Sequence, residues 1–156
     1  MAGTALEAVT LVYEDGNRPD KAFDLIGSAE DSPEGKQNMF VGTEAADTIV
    51  SAQSGSFFGA GGNDTITIES GSNTIHGGNG DDVITLGDGN DKVYAGAGND
   101  TIHAGLGANE VYAQAGNDIV LATGGDDKIV GGTGDDVLAG GAVSYTHLTL
   151  PTNREV

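Results

Sequence analysis

The 156-residue chain has no cysteine, no tryptophan and only three prolines. Without cysteine there can be neither a disulfide framework nor a thiolate metal site. Aromatic residues make up 5% of the chain, which argues against a large packed core. Basic residues are scarce, with 6 Lys and Arg against 24 Asp and Glu and a formal net charge of −18. Such a chain lacks the cationic surface that nucleic acid or an anionic membrane would need, and it suits a cationic ligand instead. No apolar stretch approaches the ~18 residues of a membrane-spanning helix. The start, MAGTALEAVTLVYEDGN, has neither the basic opening nor the apolar run of a secretory signal.

What the chain has in abundance is glycine, 27 residues of it. Each glycine loses more conformational entropy on folding than any other residue. An acidic, glycine-rich, aromatic-poor chain is disordered unless something offsets both that entropy and the self-repulsion.

From Gly59 to Ala139 the sequence divides without a gap into nine-residue units: GAGGNDTIT, IESGSNTIH, GGNGDDVIT, LGDGNDKVY, AGAGNDTIH, AGLGANEVY, AQAGNDIVL, ATGGDDKIV and GGTGDDVLA. Position 4 is always Gly, position 6 is Asp or Asn, and position 8 is Ile, Val or Leu. Upstream, GTEAADTIV (Gly42 to Val50) is a decayed unit without the position-4 Gly. The eight residues SAQSGSFF follow it, so the register slips once before Gly59. A nine-residue period excludes a helix, whose apolar face returns every 3.6 residues. Each unit instead reads as six residues of turn and three of strand, with the position-8 residue facing inward. Two units make one coil, and stacked coils make a solenoid of two parallel sheets. Its thin core would be Ile66, Ile75, Ile84, Val93, Ile102, Val111, Val120, Ile129 and Leu138.

This pattern resembles the RTX nonapeptide family, the hemolysin-type calcium-binding repeats, whose motif is G-G-x-G-x-D-x-U-x. GGNGDDVIT and GGTGDDVLA match at every fixed position. The resemblance is close over Gly59 to Ala139 and loose over Gly42 to Phe58. It implies an all-β fold, a right-handed parallel β-roll (β-solenoid) of two nonapeptide repeats per coil that folds around Ca²⁺. It also implies a bacterial protein secreted by a type I system.

Calcium takes about 6–8 oxygen ligands, more than one such loop supplies. Units n and n+2 place their position-6 residues 18 apart in sequence and one strand spacing, ~4.8 Å, apart in space. One ion between two facing loops then completes a shell, and each loop serves as half of two sites. One edge of the roll carries Asp64, Asp82, Asp100, Asp118 and Asp136, which bound four inter-coil sites. The other carries Asn73, Asp91, Asn109 and Asp127, which bound three more with one carboxylate each. Asn73 and Asn109 read equally as ion ligands or as hydrogen-bonding ladders. The expected ligand is therefore several calcium ions in about seven inter-coil sites, bringing the charge from −18 to roughly −4.

Other motifs point nowhere else. His76 and His103 fall on opposite sheets, which does not make a zinc pair. No H-E-x-x-H or G-x-S-x-G occurs, so no catalytic residue is assigned, and GDGND lacks the rest of a phosphate loop. On the second sheet, position 7 runs Thr74, Lys92, Glu110, Lys128 and position 9 runs His76, Tyr94, Tyr112, Val130, two register-fixing ladders. An ice-binding face would need a regular Thr array. Thr65 and Thr67 begin one, but Val83, His103, Ile119 and Leu121 break it.

Three regions follow. Residues 1–41 form an N-terminal segment, a cap or the remnant of an upstream region, with strands expected at Leu11 to Tyr13 and Phe23 to Ile26. Residues 42–139 are the calcium-binding roll. Residues 140–156 are a non-repeat tail in which AVSYTHLTLPTNREV looks like a translated adaptor sequence rather than native protein; the alternative is a C-terminal strand, THLTL, that caps the last coil. The expected function is calcium binding by a structural module of a larger secreted toxin, adhesin or surface protein. The alternative is the accessory roll of a secreted protease or lipase whose catalytic domain is absent from this chain.

Overall fold

The computed structural model describes residues 24–27, 38–52, 54–141 and 147–149. Every regular element among them is a strand. The first four are β1 (Asp24–Gly27), β2 (Asn38–Val41), β3 (Thr48–Ser51) and β4 (Gly55–Gly61). The regular units supply β5 (Thr65–Ser70), β6 (Thr74–Asn79), β7 (Val83–Asp88) and β8 (Lys92–Ala97), then β9 (Thr101–Leu106), β10 (Glu110–Ala115), β11 (Ile119–Gly124) and β12 (Lys128–Thr133). The short β13 (Val137–Ala139) and β14 (His147–Thr149) follow.

The odd-numbered strands form one seven-stranded sheet and the even-numbered strands another, each in sequential order. All pairings are parallel. Thr65 lies opposite Val83 and Glu110 opposite Lys128, each pair 18 residues apart. Two units therefore make one coil, and the chain is a β-roll. Between β3 and β5 and between β2 and β4 the offset is 17, with Thr48 opposite Thr65 and Met39 opposite Ser56, and between β1 and β3 it is 24, with Asp24 opposite Thr48. The one-residue deletion in SAQSGSFF is absorbed there without breaking either sheet. The strand expected at Phe23 to Ile26 is β1. Leu11 to Tyr13 lies outside the described residues.

The units divide differently from a six-residue turn and a three-residue strand. Regular strands such as β6, β8 and β12 run six residues, from position 7 of one unit to position 3 of the next, and only positions 4–6 turn. The constant offset leaves a partner in register for positions 1–3, and unpaired buried main-chain groups would be costly. Position 4 must be Gly because all nine of these residues have φ between +85° and +152°. Coil stacking adds a second reason. A Cβ on Gly98 would lie 2.1 Å from the carbonyl oxygen of Gly80.

Inside the roll, Ile66, Ile75, Ile84, Val93, Ile102, Val111, Val120 and Ile129 are buried as expected, and Leu138 is partly buried against them. A second inward row comes from position 1: Ile68, Leu86, Ala95, Ala104, Ala113 and Ala122. Phe57 extends the core upstream and stacks on Phe40 at 4.9 Å. Outside, His76 sits on β6 and His103 on β9, on opposite sheets. His76 stacks between Phe58 and Tyr94 at 4.8 and 4.9 Å, and Tyr94 stacks on Tyr112 at 5.2 Å. Glu110 lies between Lys92 and Lys128 and pairs with Lys92 at 3.2 Å, while Lys128 Nζ donates to the Tyr112 hydroxyl at 2.7 Å. Among the described residues no helix is long and apolar enough to cross a membrane.

Candidate metal centre

The loops at the two edges inherit their geometry from the coil stacking. Main-chain pairing continues through them. The position-4 N–H donates to the position-3 carbonyl of the next coil, as Gly80 does to Ala97 at 2.7 Å. The position-7 N–H donates to the position-6 carbonyl of the previous coil, as Val83 does to Asp64 at 2.8 Å. Neighbouring loops are thereby held in register before any side chain contributes.

Two side-chain ladders then run in opposite directions. At position 5, Asn63, Asp81, Asn99 and Asn117 each accept through Oδ1 from the main-chain N–H of the next coil, at 2.7–3.0 Å. Position 5 orients the loop. At position 6 the sense reverses. Asp82 Oδ1 accepts from Asp64 N, Asp100 Oδ1 from Asp82 N and Asp118 Oδ1 from Asp100 N, all at 2.8 Å, and Asp136 Oδ1 accepts from Asp118 N at 3.0 Å. On the other edge, Asn73 N donates to Asp91 Oδ1 at 2.8 Å, Asp91 N to Asn109 Oδ1 at 2.9 Å and Asn109 N to Asp127 Oδ1 at 2.9 Å.

Each carboxylate is thus anchored by one oxygen, which turns the other into the roll. Oδ2 of Asp64, Asp82, Asp91, Asp100, Asp118, Asp127 and Asp136 is buried with no hydrogen-bond partner among the described residues. An ionised oxygen in that state is expensive. Burial pushes Asp64 and Asp100 up to about 7, against the lowering effect of the donated main-chain N–H, and neighbouring carboxylates add to the rise. Burial likewise raises Asp82, Asp91 and Asp118.

Beside these atoms lies a notch lined by oxygen. A Cβ placed on Gly59 would sit 2.2 Å from Asp64 Oδ2 and 2.4 Å from the carbonyl oxygen of Gly77 in the next coil. One on Gly77 would sit 2.4 Å from both Asp82 Oδ2 and the carbonyl oxygen of Ala95. Carboxylate and carbonyl oxygens without a hydrogen between them suit a hard cation such as calcium. The donor set does not suit zinc, because His76 and His103 lie on the outer faces of opposite sheets. No group of three His, Cys, Asp or Glu converges among the described residues, so main-chain carbonyls must complete any shell.

The structure places all nine position-6 residues in two files, as the spacing predicts. Eight are buried and Asp136 is partly so. The two asparagines differ from the aspartates in having partners on both side-chain atoms. Asn73 accepts from Gly55 N at 3.0 Å and donates to the Gly71 carbonyl at 2.6 Å, and Asn109 donates to the Gly107 carbonyl at 3.4 Å. Sequence reasoning missed Asp47, which joins the all-Asp file. Its N–H donates to Asp64 Oδ1 at 2.8 Å, and its Oδ2 accepts from Thr43 N. The available signal was its place as sixth residue of the decayed unit that begins at Gly42.

No curated protein and no solved structure gives a match. The RTX calcium-binding nonapeptide repeat (4 copies) matches residues 58–93, 67–102, 87–120, 94–129 and 121–142, together more than half of the chain. With the repeat, the roll and the seven buried Oδ2 atoms all in place, the chain belongs to the RTX calcium-binding nonapeptide repeat family.

Proposed function

We infer that this chain is a calcium-folded structural module of a larger secreted bacterial protein, a toxin, adhesin or surface protein, exported by a type I system. Residues 42–139 form the ion-binding roll, and the preceding segment, residues 1–41, caps it by adding β1 and β2 to its two sheets. The ligands are Asp64, Asp82, Asp100, Asp118 and Asp136 on one edge and Asp91 and Asp127 on the other. Asn73 and Asn109 occupy the same files.

The observation that carries this reading is the set of seven buried Oδ2 atoms without a partner. Bound calcium supplies the positive charge that these oxygens lack. The chain's part is to hold each carboxylate at a fixed angle through its Oδ1 ladder and to keep water from the Oδ2 side. Because the site exists only when two coils are stacked, ion binding is linked to folding. Equilibrium dialysis of the full chain tests it. Several calcium ions should bind per chain at roughly 10⁻⁴–10⁻³ M, the range of extracellular modules. Binding of one ion or none, or equal binding of magnesium, contradicts the proposal.

A further inference from the structure

The two terminal atoms of each position-6 side chain face different ways. Oδ1 faces the upstream coil and accepts its main-chain N–H. At Asp64 and Asp82 the other atom faces the gap toward the downstream coil, where the carbonyls of Gly77 and Ala95 lie, and the 18-residue repeat carries the same arrangement along each file. In seven loops that second atom is a bare Oδ2. In Asn73 and Asn109 it is Nδ2, because Oδ1 again accepts the upstream N–H, from Gly55 at 3.0 Å and from Asp91 at 2.9 Å. Reversing either amide would set its NH₂ group against an N–H donor, so the network fixes the orientation.

Asn73 Nδ2 donates to the Gly71 carbonyl at 2.6 Å and reaches across the gap to Asp91 Oδ1 at 3.0 Å. Asn109 Nδ2 donates to the equivalent carbonyl, Gly107, at 3.4 Å. Thr43 does the same for the upstream end of the other file, its N–H donating to Asp47 Oδ2.

We propose that Asn73 and Asn109 are built-in substitutes for calcium, and that the gaps downstream of them hold no ion. This rests on the calcium reading of the aspartate loops and deepens it. An NH₂ group directs hydrogens into the gap, where a calcium ion requires lone pairs. The same hydrogens neutralise the position-4 carbonyl and, at Asn73, the facing carboxylate, so the gap is satisfied without a cation. The edges then work differently. The first edge loads the four gaps downstream of Asp64, Asp82, Asp100 and Asp118. Of the three gaps on the second edge, only the one downstream of Asp91 loads, which narrows the ligand set above by Asp127, since that residue bounds only the ion-free gap downstream of Asn109. Two of the three gaps on the second edge are thus closed by the protein's own amides, and the first edge carries most of the ions.

Calorimetric calcium titrations of the native full chain, Asn73→Asp, Asn109→Asp and the double variant test this. Each single variant should bind one more ion than the native chain and the double variant two more. Equal, non-zero stoichiometry in all four proteins overturns the proposal. Should Asn73→Asp fail to fold, the native protein decides by nuclear magnetic resonance. At saturating calcium the Asn73 side-chain amide protons should exchange slowly with solvent, and fast exchange overturns the proposal. A native chain that binds no calcium at all is a different result, which removes the calcium reading and this inference with it.

Discussion

The main-chain N–H of Asp82 donates to Oδ1 of Asp100 at 2.8 Å, while Oδ2 of the same Asp100 carboxylate is buried without a partner. One residue thus joins two coils through one oxygen and presents the other as a ligand. The repeat of this relationship every 18 residues makes the edge at once a structural ladder and an ion-binding file.

Asp100→Asn keeps the Oδ1 acceptor but puts an amide into the downstream gap, and it takes a charge from the boundary of the upstream one. It should raise the calcium midpoint of folding more than Asp91→Asn, whose file neighbours Asn73 and Asn109 are already neutral. A site filled at 100 times its dissociation constant contributes about 2.7 kcal/mol, so the loss at Asp100 is of that order. Parallel calcium titrations of folding check it. An equal or larger shift for Asp91→Asn goes against the division of labour between the edges.

Without calcium, acid should favour the roll. Asp64 and Asp100 are raised in the fold from 3.8 to about 7, and Asp82, Asp91 and Asp118 are raised too. The folded state therefore binds more protons than the unfolded state over that interval. The stability gained by protonation is fully present below about pH 3.8 and is lost as pH rises through about 7. Strand content in chelator should thus grow on acidification from pH 8 to pH 4. A fall in strand content over that range contradicts the placement of these carboxylates.

Gly77→Ala should weaken calcium binding. Its Cβ would lie 2.4 Å from Asp82 Oδ2 and 2.4 Å from the carbonyl of Ala95, inside the oxygen-lined notch. Gln114→Gly should do the opposite. Gln114 has φ of +83° at the position where Gly78, Gly96 and Gly132 have +122°, +123° and +111°. Relief of left-handed strain, ~1–2 kcal/mol, outweighs the added flexibility of the unfolded chain, ~0.5–1 kcal/mol. Calcium-saturated thermal melts should show Gly77→Ala below the native chain and Gln114→Gly slightly above it.

Much of this was legible in the sequence, and the omissions have physical causes. The period of nine gave the two-sheet roll, the inward position-8 row and the two files, because a solenoid turns sequence spacing directly into distance. It did not show that the strands run on through positions 1–3. Gly77, Gly78 and Asn79 have poor strand propensity, and it is the neighbouring coil that holds them extended. For the same reason the buried Leu86 and Ala95 were not anticipated as core. Asp47 was obscured by the loss of Gly at position 4 of its unit. The different roles of Asn73 and Asp91 depend on which side-chain atom faces the gap, and only the hydrogen-bond network reveals that.

The aromatic ladder should contribute to stability but not to ion count. Tyr94 stacks on His76 and Tyr112 at 4.9 and 5.2 Å on the outer sheet face, away from both edges. Tyr94→Ala should cost about 1–3 kcal/mol, from two stacking contacts of ~0.5–1.5 kcal/mol each, with unchanged calcium stoichiometry. Loss of an ion in this variant would mean that the sheet face and the loops are coupled more tightly than the contacts show.

The central claim is that calcium and folding are one process, because the carboxylate files cannot be buried without compensating charge. Circular dichroism and hydrodynamic radius of the full chain, followed together at pH 8 as calcium is added and then chelated, test it most directly. The account predicts an expanded chain with little strand signal in excess chelator. Millimolar calcium should convert it to a compact, strand-rich form, and chelation should reverse the change. The same strand content and the same radius in chelator and in calcium would contradict it.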